Sequence, residues 1–151
     1  MTHDLATPVA LEVWKDPQGF AITHHVRDTA WVYFQCWDAP GLPADFIGCL
    51  QFDRVWHISA RRYRPLKGYP NVAPTEDHSY YLWVKNSRLI KTLKSKRSAH
   101  DPDWEQYDPV DYQHYIVESH DFYTQIVAGS VSFSRIEKEM ARPFFQLWET
   151  I

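Results

Sequence analysis

The sequence predicts an α+β fold: a predominantly antiparallel sheet of about seven strands, with one or two short helices on one face or end. Three observations support this. Aromatic residues make up 16% of the 151, and they cluster with β-branched residues in short runs bounded by Pro, Gly, Asp and Asn. The stretch from Tyr112 to Ser134 alternates as a hairpin does. Only one internal stretch, beginning at Asn86 or Ser87, carries a cap, an apolar stripe and a cationic end in the order a helix needs.

Residues 1–10 read as a loose leader, with acidic Asp4 and no apolar core of a signal peptide, which leaves 11–151 as one domain. Strands are expected near Leu11–Trp14, Phe20–Val26, Trp31–Trp37, Ile47–Ser59, Tyr80–Lys85, Gln113–Ser119, Phe122–Ala128 and Val131–Ile136. The fourth is long enough to need a kink or turn at Asp53-Arg54. Between Trp37 and Phe46 lies Asp38-Ala39-Pro40-Gly41-Leu42-Pro43-Ala44-Asp45, rich in turn formers. A symmetric hairpin centred on Leu42-Pro43 would set Cys36 opposite Cys49. Such a pair would be two small buried apolar residues, a disulfide or half a metal site.

A hairpin turning at His120-Asp121 pairs 119 with 122, 117 with 124 and 115 with 126. One face then carries Tyr115, Val117, Phe122, Thr124, Ile126 and Ala128, and is the covered side. The other carries His114, Ile116, Glu118, Tyr123 and Gln125, a mixed and wetter side. In the helix, Leu89, Ile90 and Leu93 form the stripe, while Lys91, Lys94, Lys96 and Arg97 crowd the C-terminal half. A second helix is expected within Ile136–Ala141 or after Pro143.

The formal charge of −3 conceals a separation. Residues 54–97 hold eleven of the sixteen basic residues, Arg61, Arg62, Arg64, Lys91 and Lys94 among them, against only Glu76 and Asp77, a net +9; the remainder sums to −12. An acidic run of Asp101, Asp103, Glu105, Asp108 and Asp111 follows the basic helix at once. The basic stretch interleaves with Tyr63, Tyr69, Tyr80, Tyr81 and Trp83, as a nucleic-acid surface would. It is equally a solvated lysine face screened by the acidic run beside it, or a surface for an acidic protein. A sequence pI near 6.2 argues against nucleic acid.

Known catalytic signatures are missing from the sequence. It has no GxSxG elbow, P-loop, HExxH or CxxC, and five glycines supply no phosphate-cradling loop. No cofactor is called for. Among eight histidines the best metal candidates are His114 and His120 with Asp121. A histidine bonded to its neighbours on the sheet is the commoner arrangement. No run reaches the roughly 20 apolar residues of a membrane helix.

Three runs, in order, carry a resemblance: Phe52-Asp53-Arg54-Val55-Trp56-His57; Val84-Lys85-Asn86-Ser87-Arg88-Leu89-Ile90; and His114-Tyr115-Ile116-Val117 through His120-Asp121 to Ala128-Gly129. Together they resemble small uncharacterised bacterial β-rich proteins, some similar to the immunity proteins of polymorphic toxin systems. The resemblance spans roughly residues 47–134 and lends no catalytic residue. The charge separation and the lack of any catalytic motif point to a small cytoplasmic bacterial protein that works by binding another protein, an immunity-type inhibitor being one such protein. The abundant Trp and Tyr suit an interface, and Asp101–Asp111 is the first place to expect contact with a basic partner such as a nuclease. The alternative is a small-ligand binder or hydrolase with an aromatic pocket near His114, His120 or Asp121. Exposed sheet edges make homodimerisation compatible with either.

Overall fold

The computed structural model describes residues 4–19, 21–62, 69–120 and 122–142. The strands are β1 (Leu5–Ala10), β2 (Trp14–Lys15), β3 (Ala21–Val26), β4 (Thr29–Ala39), β5 (Leu42–Asp53), β6 (His57–Arg62), β7 (Asn71–Val72) and β8 (Tyr80–Lys85). Helices α1 (Arg88–His100) and α2 (Trp104–Tyr107) follow, then β9 (Gln113–Glu118), β10 (Phe122–Ala128) and β11 (Ser130–Glu137). A last helical stretch occupies 138–142, overlapping one of the two places expected for a second helix, Ile136–Ala141.

The strands form two sheets rather than one. The first runs β6-β10-β9-β8-β1-β7, antiparallel except for the β1–β7 pair. The second runs β11-β5-β4-β2, with β3 also on β4. The described residues hold eleven strands, not about seven. One addition is β1, in the segment expected to be a leader, and another is β7, a two-residue strand too short for periodicity to register. The long Ile47–Ser59 strand is in fact two. Arg54, at φ 54°, turns the chain out of β5 in one sheet into β6 in the other.

Between the sheets lies the main core. Val32, Phe34, Leu50 and Phe52 from the second sheet meet Tyr115, Val117, Ile126 and Ala128 from the first. Each of the largest fully buried side chains contributes about 2 kcal/mol through the apolar area it removes from water. Gly48 is required here, because a Cβ would sit 2.3 Å from the Phe34 ring.

The Tyr112–Ser134 hairpin has the expected register, with Val117 opposite Thr124 and Tyr115 opposite Ile126. Its other face is not wet, however. His114, Ile116 and Tyr123 are buried. Leu89, Ile90 and Leu93 of α1, with Trp104 of α2, pack with Val127 over part of that face. The α1 stripe was visible in the sequence, but the face it covers was not.

The described part of the expected leader, residues 4–10, is not loose. Leu5–Ala10 is an internal strand, hydrogen-bonded between β8 and β7. Buried Asp4 accepts the Arg88 backbone N–H at 3.1 Å. The expected strand at Leu11–Trp14 shrinks to Trp14–Lys15.

Nor does Cys36 face Cys49. Pro40-Gly41, with Gly41 at φ 77°, forms a tighter turn than the one expected, and Tyr33 pairs with Cys49. Cys36 falls at a register shift and packs into the inter-sheet core. Both thiols are free, buried and pushed up to about 11 by burial, which leaves neither a nucleophile. Among the described residues no helix is long and apolar enough to cross a membrane.

Candidate functional site

His114 is the most perturbed of the residues singled out. It lies on the helix-covered face of β9 and is 2% exposed. Its Nε2–H donates to Gln125 Oε1 at 3.0 Å, and its Nδ1 accepts the Ser87 hydroxyl at 2.7 Å. Ser87 is the N-cap of α1, and its Oγ accepts the Ile90 N–H at 3.1 Å. Asn86, the other cap candidate, instead makes the turn out of β8 at φ 55°. Burial pushes the His114 imidazole down to about 4, against the opposing pull of Gln125 and Asp4. Both ring nitrogens are occupied, so the imidazole has no lone pair left for a metal. His120 lies beyond the end of β9, in the exposed turn, and Asp121 falls outside the described residues. The described residues contain no cluster able to hold a metal ion.

The acidic run divides. Asp108 is drawn inward: its Oδ2 accepts from Arg97 Nη1 at 2.8 Å and from the Tyr112 hydroxyl. The Arg97 guanidinium lies 4.5 Å from the Trp104 ring centre and 5.2 Å from that of Trp56. The Tyr112 hydrogen bond and then Arg97 hold the Asp108 carboxyl below its usual range. Burial, followed by Asp108, pushes the Tyr112 phenol up to about 12. Asp108 therefore fastens α1 to the segment after α2 through its Oδ2. Asp101, Asp103, Glu105 and Asp111 remain exposed. Tyr107 stands among them, 76% exposed.

The basic residues do not all share one element. Arg61 and Arg62 lie exposed on β6, at the edge of its sheet, and Arg64 is outside the described residues. Lys91 is exposed on α1 and Lys94 half-buried there. Trp83 is part of the packing rather than a free binding surface: it borders the inter-sheet core, and its Nε1–H donates to Gln113 Oε1 at 2.8 Å.

A cleft of about 220 Å³ opens where β2 passes the end of β9, lined by Lys15, Asp16, His78, Tyr80, Glu118 and Ser119. It ends one residue short of His120. Lys15 is anchored twice: its backbone N–H donates to Ser79 Oγ at 2.7 Å, and its ammonium donates to the Glu118 carbonyl. Burial pushes that ammonium down, and Glu118 and Cys36 oppose the shift. The Tyr69 hydroxyl donates to Glu118 Oε1 at 2.8 Å. His78 stacks on Trp14, with centres 5.5 Å apart and planes 20° from parallel. A second hollow of about 200 Å³, lined in part by Trp14, Asp77 and His78, adjoins it.

Sequence reasoning missed this cleft. Its groups come from positions near 15, 78 and 118, joined by contacts 64 and 103 residues apart in the chain. Trp14-Lys15-Asp16 has no spacing that sets it apart from any short aromatic run. The one local clue was a lysine beside Trp14 in a stretch read as strand. No family model, curated protein or solved structure matches the chain.

Proposed function

We infer that this chain is a non-catalytic protein-binding module of the bacterial cytoplasm, an immunity-type inhibitor that meets a basic partner through the turn around α2. The observation that carries the reading is Tyr107, 76% exposed, set among exposed Asp101, Asp103, Glu105 and Asp111. An aromatic ring ringed by charge is the composition of an interface centre: the ring supplies area to bury, and the carboxylates steer a cationic surface onto it. The lysine face of α1 beside it repels the same partner and so fixes its orientation. The Arg97–Asp108 ion pair holds the turn in place before any partner arrives, so docking orders little new chain.

The test is a photo-crosslinking amino acid at position 107 in the native cell, with the same group at Met140, 69% exposed, as the control position. The expected result is an adduct with one basic protein at 107 only, lost in the Asp103→Lys, Glu105→Lys double variant. Equal adducts at both positions, or an adduct indifferent to the charge reversal, would overturn the reading.

A further inference from the structure

A sheet edge is a row of backbone N–H and C=O groups without partners, and folds disarm it by shortness, breaks or charge. Among the described residues the two sheets present four edges, and three are disarmed in these ways. β7 is two residues long. β6 carries Arg61 and Arg62, both exposed. The edge made by β2 and β3 is broken by the turn at 17–18. β11 is the exception. It is eight residues long and, among the described residues, pairs with β5 alone. Its register runs without a bulge from Ser130 opposite Asp53 to Glu137 opposite Phe46. The first five residues, Ser-Val-Ser-Phe-Ser, hold no charge, proline or glycine. Ser130, Ser132 and Ser134 are exposed. Val131 and Phe133 turn inward onto the core, where Phe133 stacks on Phe34 with ring centres 6.3 Å apart.

We propose that this edge holds a second copy of the chain: two β11 strands pair antiparallel about a two-fold axis, and two five-stranded sheets become one continuous sheet. In a continuous sheet, paired side chains lie on the same face. Inward residues therefore meet inward ones, and one residue of β11 meets its own copy at the axis. Phe133 suits that place. With Phe133 opposite itself, Ser132 faces Ser134, Val131 faces Arg135 and Ser130 faces Ile136 of the other copy, each pair occurring twice. An aromatic pair and two hydroxyl pairs are favourable cross-strand neighbours. No like charges meet. Arg135, the only cation of β11, lies over the Phe46 ring, 4.6 Å from its centre, and Glu137 falls beyond the paired stretch. Centring on Ser134 instead would set Arg135 diagonal to its own copy and Val131 against Glu137. The α2 turn lies on other elements and plays no part in the pairing.

Sedimentation equilibrium of the full chain over a concentration series tests this, and is expected to give twice the chain mass of 17.9 kDa. Two charge variants then test the edge. Ser132→Lys with Ser134→Lys, and Ser132→Glu with Ser134→Glu, each set like charges opposite one another, and each should be a monomer. Mixed in equal amounts they set Lys opposite Glu and should restore the doubled mass, which also reports that both variants are folded. Amide exchange needs no substitution. Alternate amides of an antiparallel edge strand point outward, so exchange should be slow along the whole of β11 in the unaltered chain. A single chain mass at every concentration overturns the proposal and leaves the edge to a strand of another protein. A dimer that survives in both charge variants, or β11 amides that exchange fast at every second residue in the unaltered dimer, overturns β11 as the interface. Monomeric variants whose mixture stays monomeric overturn the pairing centred on Phe133.

Discussion

His114 and Lys15 are both nitrogen bases pushed below their usual range by burial, and they differ in everything else. His114 is closed in. Its two nitrogens are consumed by Ser87 and Gln125, and it joins the cap of α1 to β10. Lys15 lines a cleft, and its ammonium donates to the Glu118 backbone carbonyl. Burial alone therefore does not mark a reactive group. The distinction is whether the buried residue is wholly enclosed by the fold or also lines a space.

If that contrast is right, removing each residue should have opposite effects on stability. His114→Ala should cost the most, about 4 kcal/mol, because it leaves a cavity and strands the Ser87 hydroxyl and Gln125 in the interior. Urea denaturation measures it. A loss below about 1 kcal/mol would mean that water replaces the ring and that the node is not closed.

Acid should act almost as strongly. The imidazole titrates near 6.5 in the unfolded chain and at about 4 in the folded one, so across that interval the unfolded state binds the extra proton. Stability should fall as pH drops from 6.5 towards 4, by a total on the order of 3 kcal/mol. The loss owed to Asp108 comes later, below its ordinary value of 3.8. A His114→Gln variant should show a flatter profile over the same interval.

Ser87→Ala removes the cap of α1 and the Nδ1 partner together, and is expected to cost about 1–2 kcal/mol. Amide exchange in the first turn of α1 should rise with it. At Lys15 the effect should be smallest and of opposite sign. Lys15→Met keeps the apolar stem and deletes a charge that burial disfavours, so stability should hold or rise by less than about 1 kcal/mol. A loss of about 2 kcal/mol or more would make Lys15 a structural residue like His114 and erase the contrast.

What could be read from the sequence was whatever depends on neighbours in the chain. The Tyr112–Ser134 hairpin register, the Asp53-Arg54 turn and the Ser87 cap are all decided within a few residues, and each appears where the residues indicate it. What could not be read depends on which surface meets which. Alternation along β9 and β10 separates two faces but cannot say that α1 and α2 will cover the polar one. That is why His114 looked like a candidate ligand and is instead a buried joint. The acidic run read as uniform, yet Asp108 is set apart from Asp101 and Asp103 by Arg97 and Tyr112, which only the fold brings to it. The Lys15 cleft depends wholly on such distant meetings, and no local pattern announces it.

The position of β1 has a consequence for the order in which the protein can assemble. Leu5–Ala10 leaves the ribosome well before its partner, since Leu5 pairs with Lys85 and Ala10 with Tyr80. On a ribosome adding about 5–20 residues per second, that strand waits several seconds before its partner exists. Meanwhile β3, β4 and β5 can form hairpins with one another as soon as they emerge. The first sheet thus joins a segment made early to one made much later, the kind of distant contact that slows folding.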